Sequence, residues 1–193
     1  MPTPPPSPTP NRFALLGLAL SMLLSSLGTS IANVALPTLV QELASSFGAV
    51  QWVVLAYLFA ITGSLLVAGR LGDMLGRKRL LRAGLLLFTA ASLLAGLAPN
   101  LAALVAARVL QGLGAAVMMA LTVAFVTELV PETETGRAMG WLGTTSAIGT
   151  ALGPSLGGLL IELAGWRAIF LLNLPLGAGA LLLAKRYLPV DPT

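Results

Sequence analysis

The 193-residue chain contains no cysteine and no histidine, and only 9% of its residues are charged. Without cysteine it cannot form disulfides, thiolate metal sites or a thiol nucleophile. Without histidine it lacks the side chain that most often titrates near neutral pH and most often binds metals. Any proton coupling would fall to the seven carboxylates. We expect no metal, no cofactor and no enzymatic activity, because the sequence has no histidine, no cysteine and no cluster of carboxylates that could form a catalytic site.

Apolar residues are abundant instead, at 56% of the chain, and the mean hydropathy is +0.91. A soluble domain has about 45–50% apolar and about 25% charged residues. Several apolar runs reach the length of about 20 residues that a membrane-spanning helix needs. The sequence therefore predicts an all-α, polytopic membrane protein. The basic residues flank apolar runs without forming a continuous face, so nucleic acid is not expected as a partner.

Charged residues, proline and glycine delimit six predicted spans, numbered 1 to 6 in chain order. They lie near residues 13–36, 50–69, 80–98, 101–126, 138–161 and 168–184. Residues 1–12, rich in proline, are expected to form a disordered cytoplasmic tail, and residues 187–193 a second cytoplasmic tail. Residues 13–186 form the transmembrane bundle.

Basic residues predict the orientation of this bundle. With the N-terminus in the cytoplasm, nine basic residues fall on the cytoplasmic side and only Arg167 falls on the other. This asymmetry follows the positive-inside rule. We expect a multi-pass protein of the plasma (inner) membrane with both termini cytoplasmic.

An offset of 89 residues reveals an internal repeat between residues 13–98 and residues 101–184. Gly69, Asp73, Gly76 and Lys78 fall opposite Gly158, Glu162, Gly165 and Arg167. Three spans would be repeated, and because three is odd, the second copy lies upside down in the bilayer. The sequence predicts an inverted 3+3 arrangement of six helices.

Four motifs stand out. GRLGDMLGRKRL (residues 69–80) joins spans 2 and 3, and its glycines permit a tight turn beside a basic cluster. RVLQGLGAA (108–116) lies in span 4, AIGTALGPSLGGLL (147–160) in span 5, and SSLGTSIANVALPTL (25–39) in span 1. In the first motif the candidate conformational-switch residues are Gly69, Asp73, Gly76, Arg77, Lys78 and Arg79.

These motifs resemble those of the major facilitator superfamily, namely its loop between helices 2 and 3, its arginine motif in helix 4 and the helix 5 motif of its antiporters. The span 1 motif, together with GWRAIFLLNLPLG (165–177), resembles the 14-helix drug:proton antiporter branch. The resemblance covers only the N-terminal six-helix half of such a transporter. It implies a multidrug-type exporter of small amphipathic compounds, working by proton antiport.

Two departures from the family pattern bear on this function. The branch usually has an acidic residue where this chain has Gly28, so that acid's role in proton coupling or in binding cations cannot be carried over. The second half is also missing, and alternating access needs two bundles. Two parallel copies could form a C2 homodimer through spans 2 and 5. The alternative is a truncated or isolated half that does not transport alone, serving as a structural unit or needing a separate second half.

Arg108 lies about two turns, roughly 10 Å, inside span 4, where a charge costs about 2.5–3.5 kcal/mol. Either it faces a substrate cavity, the favoured hypothesis, or it snorkels outward or bonds structural carbonyls. Small and polar residues recur along span 1 and either line the cavity or pack helices. The candidate cavity residues are Arg108, Gln111, Asn33, Thr29 and Ser25.

Span 5 contains a proline, which removes one backbone donor and is expected to bend the helix. Nearby glycines would make that bend easier to change. The bend is either a gate at a bundle interface or a static kink, and the sequence leaves both open. The candidate gating residues are Gly149, Gly153, Pro154, Gly157 and Gly158.

Overall fold

The computed structural model describes residues 12–189, so residues 1–11 of the predicted tail at 1–12 and residues 190–193 of the predicted tail at 187–193 lie outside it. Arg12 and Tyr187, which the sequence placed in the tails, are helical. Within these residues the secondary structure is α-helical, and six helical segments are long and apolar enough to cross a membrane. The predicted fold class is confirmed. The helices are α1 (Arg12–Glu42), α2 (Phe47–Val50), α3 (Trp52–Leu75), α4 (Arg77–Gly96), α5 (Leu101–Leu129), α6 (Glu132–Ala164), α7 (Ala168–Leu171) and α8 (Asn173–Tyr187).

The six spans correspond to these helices in order. Span 2 consists of α2 and α3, span 6 consists of α7 and α8, and spans 1, 3, 4 and 5 are α1, α4, α5 and α6. Several helices extend past the apolar runs, because hydropathy marks the part of a helix in lipid, whereas hydrogen bonding sets its ends. Span 5, for example, begins at Glu132 instead of residue 138. Carboxylates in a first turn are stabilised by the helix dipole.

The internal repeat is visible in how two helices end. Gly76 ends α3 with φ 94°, and Gly165 ends α6 with φ 83°. The Gly76 N–H donates to the carbonyl of Gly72, and the Gly165 N–H donates to that of Ile161. Gly165 follows Gly76 by 89 residues, and Ile161 follows Gly72 by the same offset. Positive φ favours glycine, so the matched glycines end two corresponding spans in the same way.

Helix packing follows the same repeat. Span 1 packs along spans 5 and 6, and span 4 packs along spans 2 and 3. Exchanging each span with its counterpart in the other repeat converts one set of pairs into the other. Spans 1 and 4 contact each other at the centre, while spans 2 and 5 lie at the periphery. The bundle is therefore an inverted 3+3 repeat.

Glycines allow span 4 to approach its neighbours closely. A Cβ added at Gly114 would lie 2.7 Å from the backbone nitrogen of Phe88 and 2.8 Å from the carbonyl oxygen of Gly84 in span 3. A Cβ at Gly112 would lie 2.6 Å from the carbonyl oxygen of Tyr57 in span 2. These are backbone atoms, which cannot move without displacing a whole helix.

We therefore expect Gly114→Ala to destabilise the bundle. Overpacking of this kind costs about 1–3 kcal/mol, which lowers the Tm of a chain of this size by about 2–12 °C. The measurement is thermal unfolding of the purified protein in mild detergent. Gly143→Ala is the control, because a Cβ there meets nothing within 4 Å. Equal melting temperatures for the two variants would contradict the close approach of spans 3 and 4.

Candidate functional site

Arg108 is fully buried at the centre of the bundle. Its Nε donates to the carbonyl oxygen of Val53 in span 2 at 2.8 Å, and its Nη2 donates to that of Gly28 in span 1 at 2.8 Å. Its Nη1 donates to Oε1 of Gln111, one turn along span 4, at 2.6 Å. Hydrogen bonds from a charged donor are stronger than neutral ones. One guanidinium therefore connects three spans.

Aromatic rings provide most of the remaining surroundings of this charge. The Arg108 Cζ lies 4.1 Å from the ring centroid of Tyr57 and 5.7 Å from that of Phe170 in span 6. Cation–π attraction gains strength when both partners are desolvated. The Tyr57 hydroxyl donates to the carbonyl oxygen of Ser25 at 2.8 Å, which holds the ring against span 1. Carbonyl dipoles and π-faces here take the place of an acidic partner.

A chain of side-chain hydrogen bonds continues from Gln111 into spans 3 and 6. The Nε2 of Gln111 donates to the Oγ of Ser92 at 2.7 Å, and the Ser92 hydroxyl donates to the Phe88 carbonyl oxygen at 2.7 Å. Nδ2 of Asn173 also donates to the Ser92 Oγ, at 3.4 Å. We call Arg108, Gln111, Tyr57, Ser92 and Asn173 the arginine network. Through it, five of the six spans are joined by buried polar contacts.

The sequence favoured a cavity-facing Arg108. In the structure the side chain is buried and bonds structural carbonyls, which is the arrangement of the alternative hypothesis, and its role in transport stays a prediction. Sequence reasoning missed three members of the network, namely Tyr57, Ser92 and Asn173. The available signal was polar side chains within apolar spans, as it was for Gln111.

The other cavity candidates follow one another along span 1. Ser25 is buried and donates to the carbonyl of Ser21 at 3.0 Å. Thr29 is half-buried and donates to that of Ser25 at 3.1 Å, and the exposed Asn33 donates to that of Thr29 at 3.2 Å. The series thus runs from the interior to the surface. Asn33 is its exposed member, and the cavity role of all three stays a prediction.

Gly28, where the resembling branch has an acid, lies under the ring of Tyr57. A Cβ added there would lie 2.8 Å from the Tyr57 hydroxyl oxygen and 3.6 Å from the Phe88 Cζ. The phenol therefore occupies the space in which an acidic side chain would begin. Gly28 also presents its carbonyl to Arg108. The missing acid and the buried arginine are thus parts of one packing arrangement.

Span 5 remains one continuous helix through Pro154. Gly149, Gly153 and Gly157 are buried against span 1, where a Cβ at Gly153 would overlap the Ser30 hydroxyl. Pro154 is exposed, and a Cβ at Gly158 would meet nothing within 4 Å. The glycines therefore serve close packing of spans 1 and 5. Whether Pro154 acts as a gate or a static feature stays open.

Ion pairs join three helix ends at the loop between spans 2 and 3. Nη2 of Arg77 lies 2.9 Å from Oδ1 of Asp73, and Nη1 lies 3.3 Å from Oε2 of Glu128 at the end of span 4. Lys78 donates to the Leu188 carbonyl after span 6. Gly69 has open space around it, and Arg79 is exposed. The predicted switch loop thus links the ends of spans 2, 3, 4 and 6.

Comparison with known proteins agrees with this architecture. The riboflavin transporter RibZ of Clostridioides difficile is 36% identical over 177 residues, which are 92% of this chain and 39% of that protein. The multidrug resistance protein Stp of Mycobacterium tuberculosis (strain ATCC 25618 / H37Rv) is 41% identical over 181 residues, 92% of this chain and 34% of that protein. A probable actinorhodin transporter of Streptomyces coelicolor is 37% identical over 189 residues, which are 95% of this chain and 33% of that protein.

Two solved structures show the same fold. The proton:xylose symporter XylE, bound to 6-bromo-6-deoxy-D-glucose, superposes with a TM-score of 0.82 at 17% identity, covering 94% of this chain and 45% of that one. A bacterial homologue of the human lysosomal transporter Spinster, in an inward-facing and occupied conformation, superposes with a TM-score of 0.81 at 17% identity. The match covers 95% of this chain and 46% of that one.

This chain therefore spans less than half the length of the relatives it matches. Its six helices correspond to one bundle of their fold. A profile of the Major Facilitator Superfamily matches residues 18–193. The chain belongs to the Major Facilitator Superfamily.

Proposed function

We propose that this chain exports small amphipathic compounds across the inner membrane as a pair of identical copies, with both termini in the cytoplasm. The observation that carries the proposal is the correspondence of its six helices with one bundle of a transporter fold. Alternating access requires a second bundle around a shared midplane site. A second copy in the same orientation would supply one, with spans 2 and 5 at the contact because they lie at the periphery.

The charge of the bundle interior indicates the class of substrate. Arg108 is buried, whereas the carboxylates of the described residues are all exposed: Glu42, Asp73, Glu128, Glu132, Glu134 and Glu162. A buried cation without an acidic partner repels cationic solutes at low dielectric. Neutral or anionic amphipathic compounds therefore suit this bundle better. Relatives named for riboflavin and actinorhodin transport support this choice.

The flux experiment described below tests whether transport is coupled to proton antiport. A proton carrier has to titrate inside the transport path, and the described part of the chain offers no buried carboxylate for this task. Coupling would need a group from outside one bundle.

The second candidate function is a six-helix unit that transports only together with a separate second half. The observation in its favour is the length of the relatives, of which this chain spans 39% in the riboflavin transporter and 45% in the xylose symporter. The experiments below distinguish this candidate from a homodimer.

Flux into proteoliposomes tests transport. We expect the purified parent chain to move riboflavin faster than the cation ethidium, read from the fluorescence of each. Arg108→Ala should lose this preference, whereas Arg108→Lys should keep it because the charge remains. An imposed pH gradient that leaves the riboflavin flux unchanged would remove proton antiport. No flux of either compound from the parent would favour the second candidate.

Cysteine cross-linking tests the homodimer, since the chain has no native cysteine. Leu66 in span 2 is 83% exposed, and Thr144 in span 5 is exposed. By helical rise, Leu66 lies about 14 Å from Leu75 and Thr144 about 18 Å from Glu132, the ends of their helices on the proposed cytoplasmic side. Mixed chains carrying Leu66→Cys or Thr144→Cys, with different affinity tags, should cross-link in membranes. Leu182→Cys in span 6, 67% exposed, replaces Thr144→Cys in the control. Equal yields from both pairs would argue against spans 2 and 5 as the contact.

The Asp73–Arg77–Glu128 ion pairs generate a further prediction. Exposed ion pairs contribute about 0–1 kcal/mol to stability, so Asp73→Asn should change the Tm by only a few degrees. If the switch loop controls conformational change, the same substitution should reduce riboflavin flux at least tenfold. Glu132→Gln, another exposed acid at the same end of the bundle, should leave flux intact. Equal flux from Asp73→Asn and the parent would contradict a switching role.

A further inference from the structure

A pocket of about 370 Å³ opens between spans 1, 4 and 5, at the end of the bundle that carries the Arg77 ion pairs. Its lining residues all come from these three spans and from the end of span 4, and none of them belongs to span 3 or span 6. In the proposed homodimer, spans 2 and 5 contact the second copy. The pocket therefore lies on the side of the bundle that faces the second copy and the passage between them.

The pocket is at the proposed cytoplasmic end of this passage, well away from the arginine network. By helical rise, Arg12 in the pocket lies about 24 Å along span 1 from Gly28, whose carbonyl accepts from Arg108. Val126 in the pocket lies about 27 Å along span 4 from Arg108 itself. A solute in this pocket would thus be at the entrance of the passage, before it reaches the middle of the membrane.

The wall of the pocket combines a flat aromatic surface with aliphatic side chains. Trp141 lines the pocket and is 66% exposed, so its ring is accessible. Leu15 and Leu16 from span 1 and Leu142 from span 5 line it as well. Aromatic rings pack on one another in offset-stacked or edge-to-face geometry. Because ligand pockets measure about 300–1,000 Å³, this one suits a single compound of a few fused rings.

Charged side chains border the apolar wall. Arg12 from span 1 and Arg137 from span 5 both line the pocket, together with Glu134. Their formal charges sum to +1. Within residues 12–189 neither arginine is part of a salt bridge, since the ion pairs there are those of Arg77. Arginine binds phosphate and carboxylate groups through charge-assisted hydrogen bonds, so the pocket favours a solute with an anionic group.

We propose that this pocket is an entry subsite for planar amphipathic compounds that carry one anionic group. The ring of the compound stacks on Trp141, and its anionic group contacts Arg12 and Arg137. Glu134 opposes a negative charge and so limits the affinity. The inference rests on the proposed function, because the pocket faces a transport passage only when a second bundle stands opposite. It narrows the substrate class from neutral or anionic compounds to planar anions.

Two flavins that differ by one phosphate test the subsite. Riboflavin 5′-phosphate and riboflavin share one planar ring, whose fluorescence is quenched when it stacks on tryptophan. Each is titrated into the purified chain in non-ionic detergent, and equilibrium dialysis measures binding independently of quenching. Because an exposed ion pair changes affinity by up to about fivefold, two arginines should make the phosphate form bind about five- to tenfold more tightly than riboflavin.

Substitutions in the charged border should change this selectivity in both directions. Arg137→Gln should weaken binding of the phosphate form by about fivefold and leave riboflavin binding unchanged. Glu134→Gln should strengthen binding of the phosphate form, which a folding defect could not produce. Arg70→Gln is the matched control, because Arg70 is an exposed arginine of span 2 outside the pocket; it should bind as the parent does.

The tryptophans locate the bound ring. Trp141→Phe should keep binding in dialysis but lose most of the flavin quenching. Trp52→Phe is the control, since Trp52 is also exposed but lies at the opposite end of span 2 from the Arg77 ion pairs; it should retain the quenching. Equal loss of quenching in the two variants would contradict stacking on Trp141.

Other results would also overturn the proposal. They are equal affinity for the two flavins, no saturable binding of either, and a loss in Arg70→Gln as large as that in Arg137→Gln. Flux separates the subsite from the transport function. Selective binding without flux in proteoliposomes would contradict transport and leave a binding site, whereas flux of the phosphate form with the same KM in Arg137→Gln and the parent would overturn the entry subsite and leave transport intact.

Discussion

The bundle depends on the burial of one arginine without an acidic partner. A guanidinium in this position needs its donors satisfied and its charge compensated, or its cost would exceed what the helix packing can offset. Val53, Gly28 and Gln111 accept its hydrogen bonds, and Tyr57 covers its face. These groups belong to three different spans, so the relative depth and rotation of spans 1, 2 and 4 are set together by a single side chain.

The arginine network also determines which spans are tied to the centre of the bundle by buried polar contacts. Spans 3 and 6 join the network through Ser92 and Asn173, and span 2 joins it through Tyr57 and Val53. Span 5 contributes no member and packs on span 1 through a row of glycines. Two hydrogen bonds supplement this packing: the Ser26 and Ser146 hydroxyl oxygens are 2.7 Å apart, and the Ser30 hydroxyl donates to the Gly149 carbonyl oxygen at 3.3 Å. Span 5 is thus fixed by direct contact with span 1, whereas its counterpart, span 2, is also tied to the buried arginine.

The sequence was sufficient to predict the helices and their symmetry, and the reasons are local. Apolar length defines a span, and Gly76 and Gly165 fall at matched positions because positive φ ends a helix most readily at glycine. The hydrogen-bond partners of Arg108 could not be predicted from the sequence. They depend on how spans 1 and 2 rotate about their axes, and two of them are backbone carbonyls, which every residue possesses. The observed helix ends differ from the predicted span ends because backbone hydrogen bonding continues past the edge of the apolar run.

The two repeats share geometry but not chemistry, and this bears on how a transporter could be completed. The 89-residue offset places Ala19 and Met22 of span 1 opposite Arg108 and Gln111 of span 4, so only the second repeat carries the buried charge. A second identical bundle would double that arginine without supplying an acid for it. A second half of different sequence is free to contain a carboxylate. Proton coupling therefore depends on which bundle stands opposite. Two identical bundles would suit neutral or anionic substrates moved without a buried proton carrier, whereas a second half of different sequence could add a buried carboxylate.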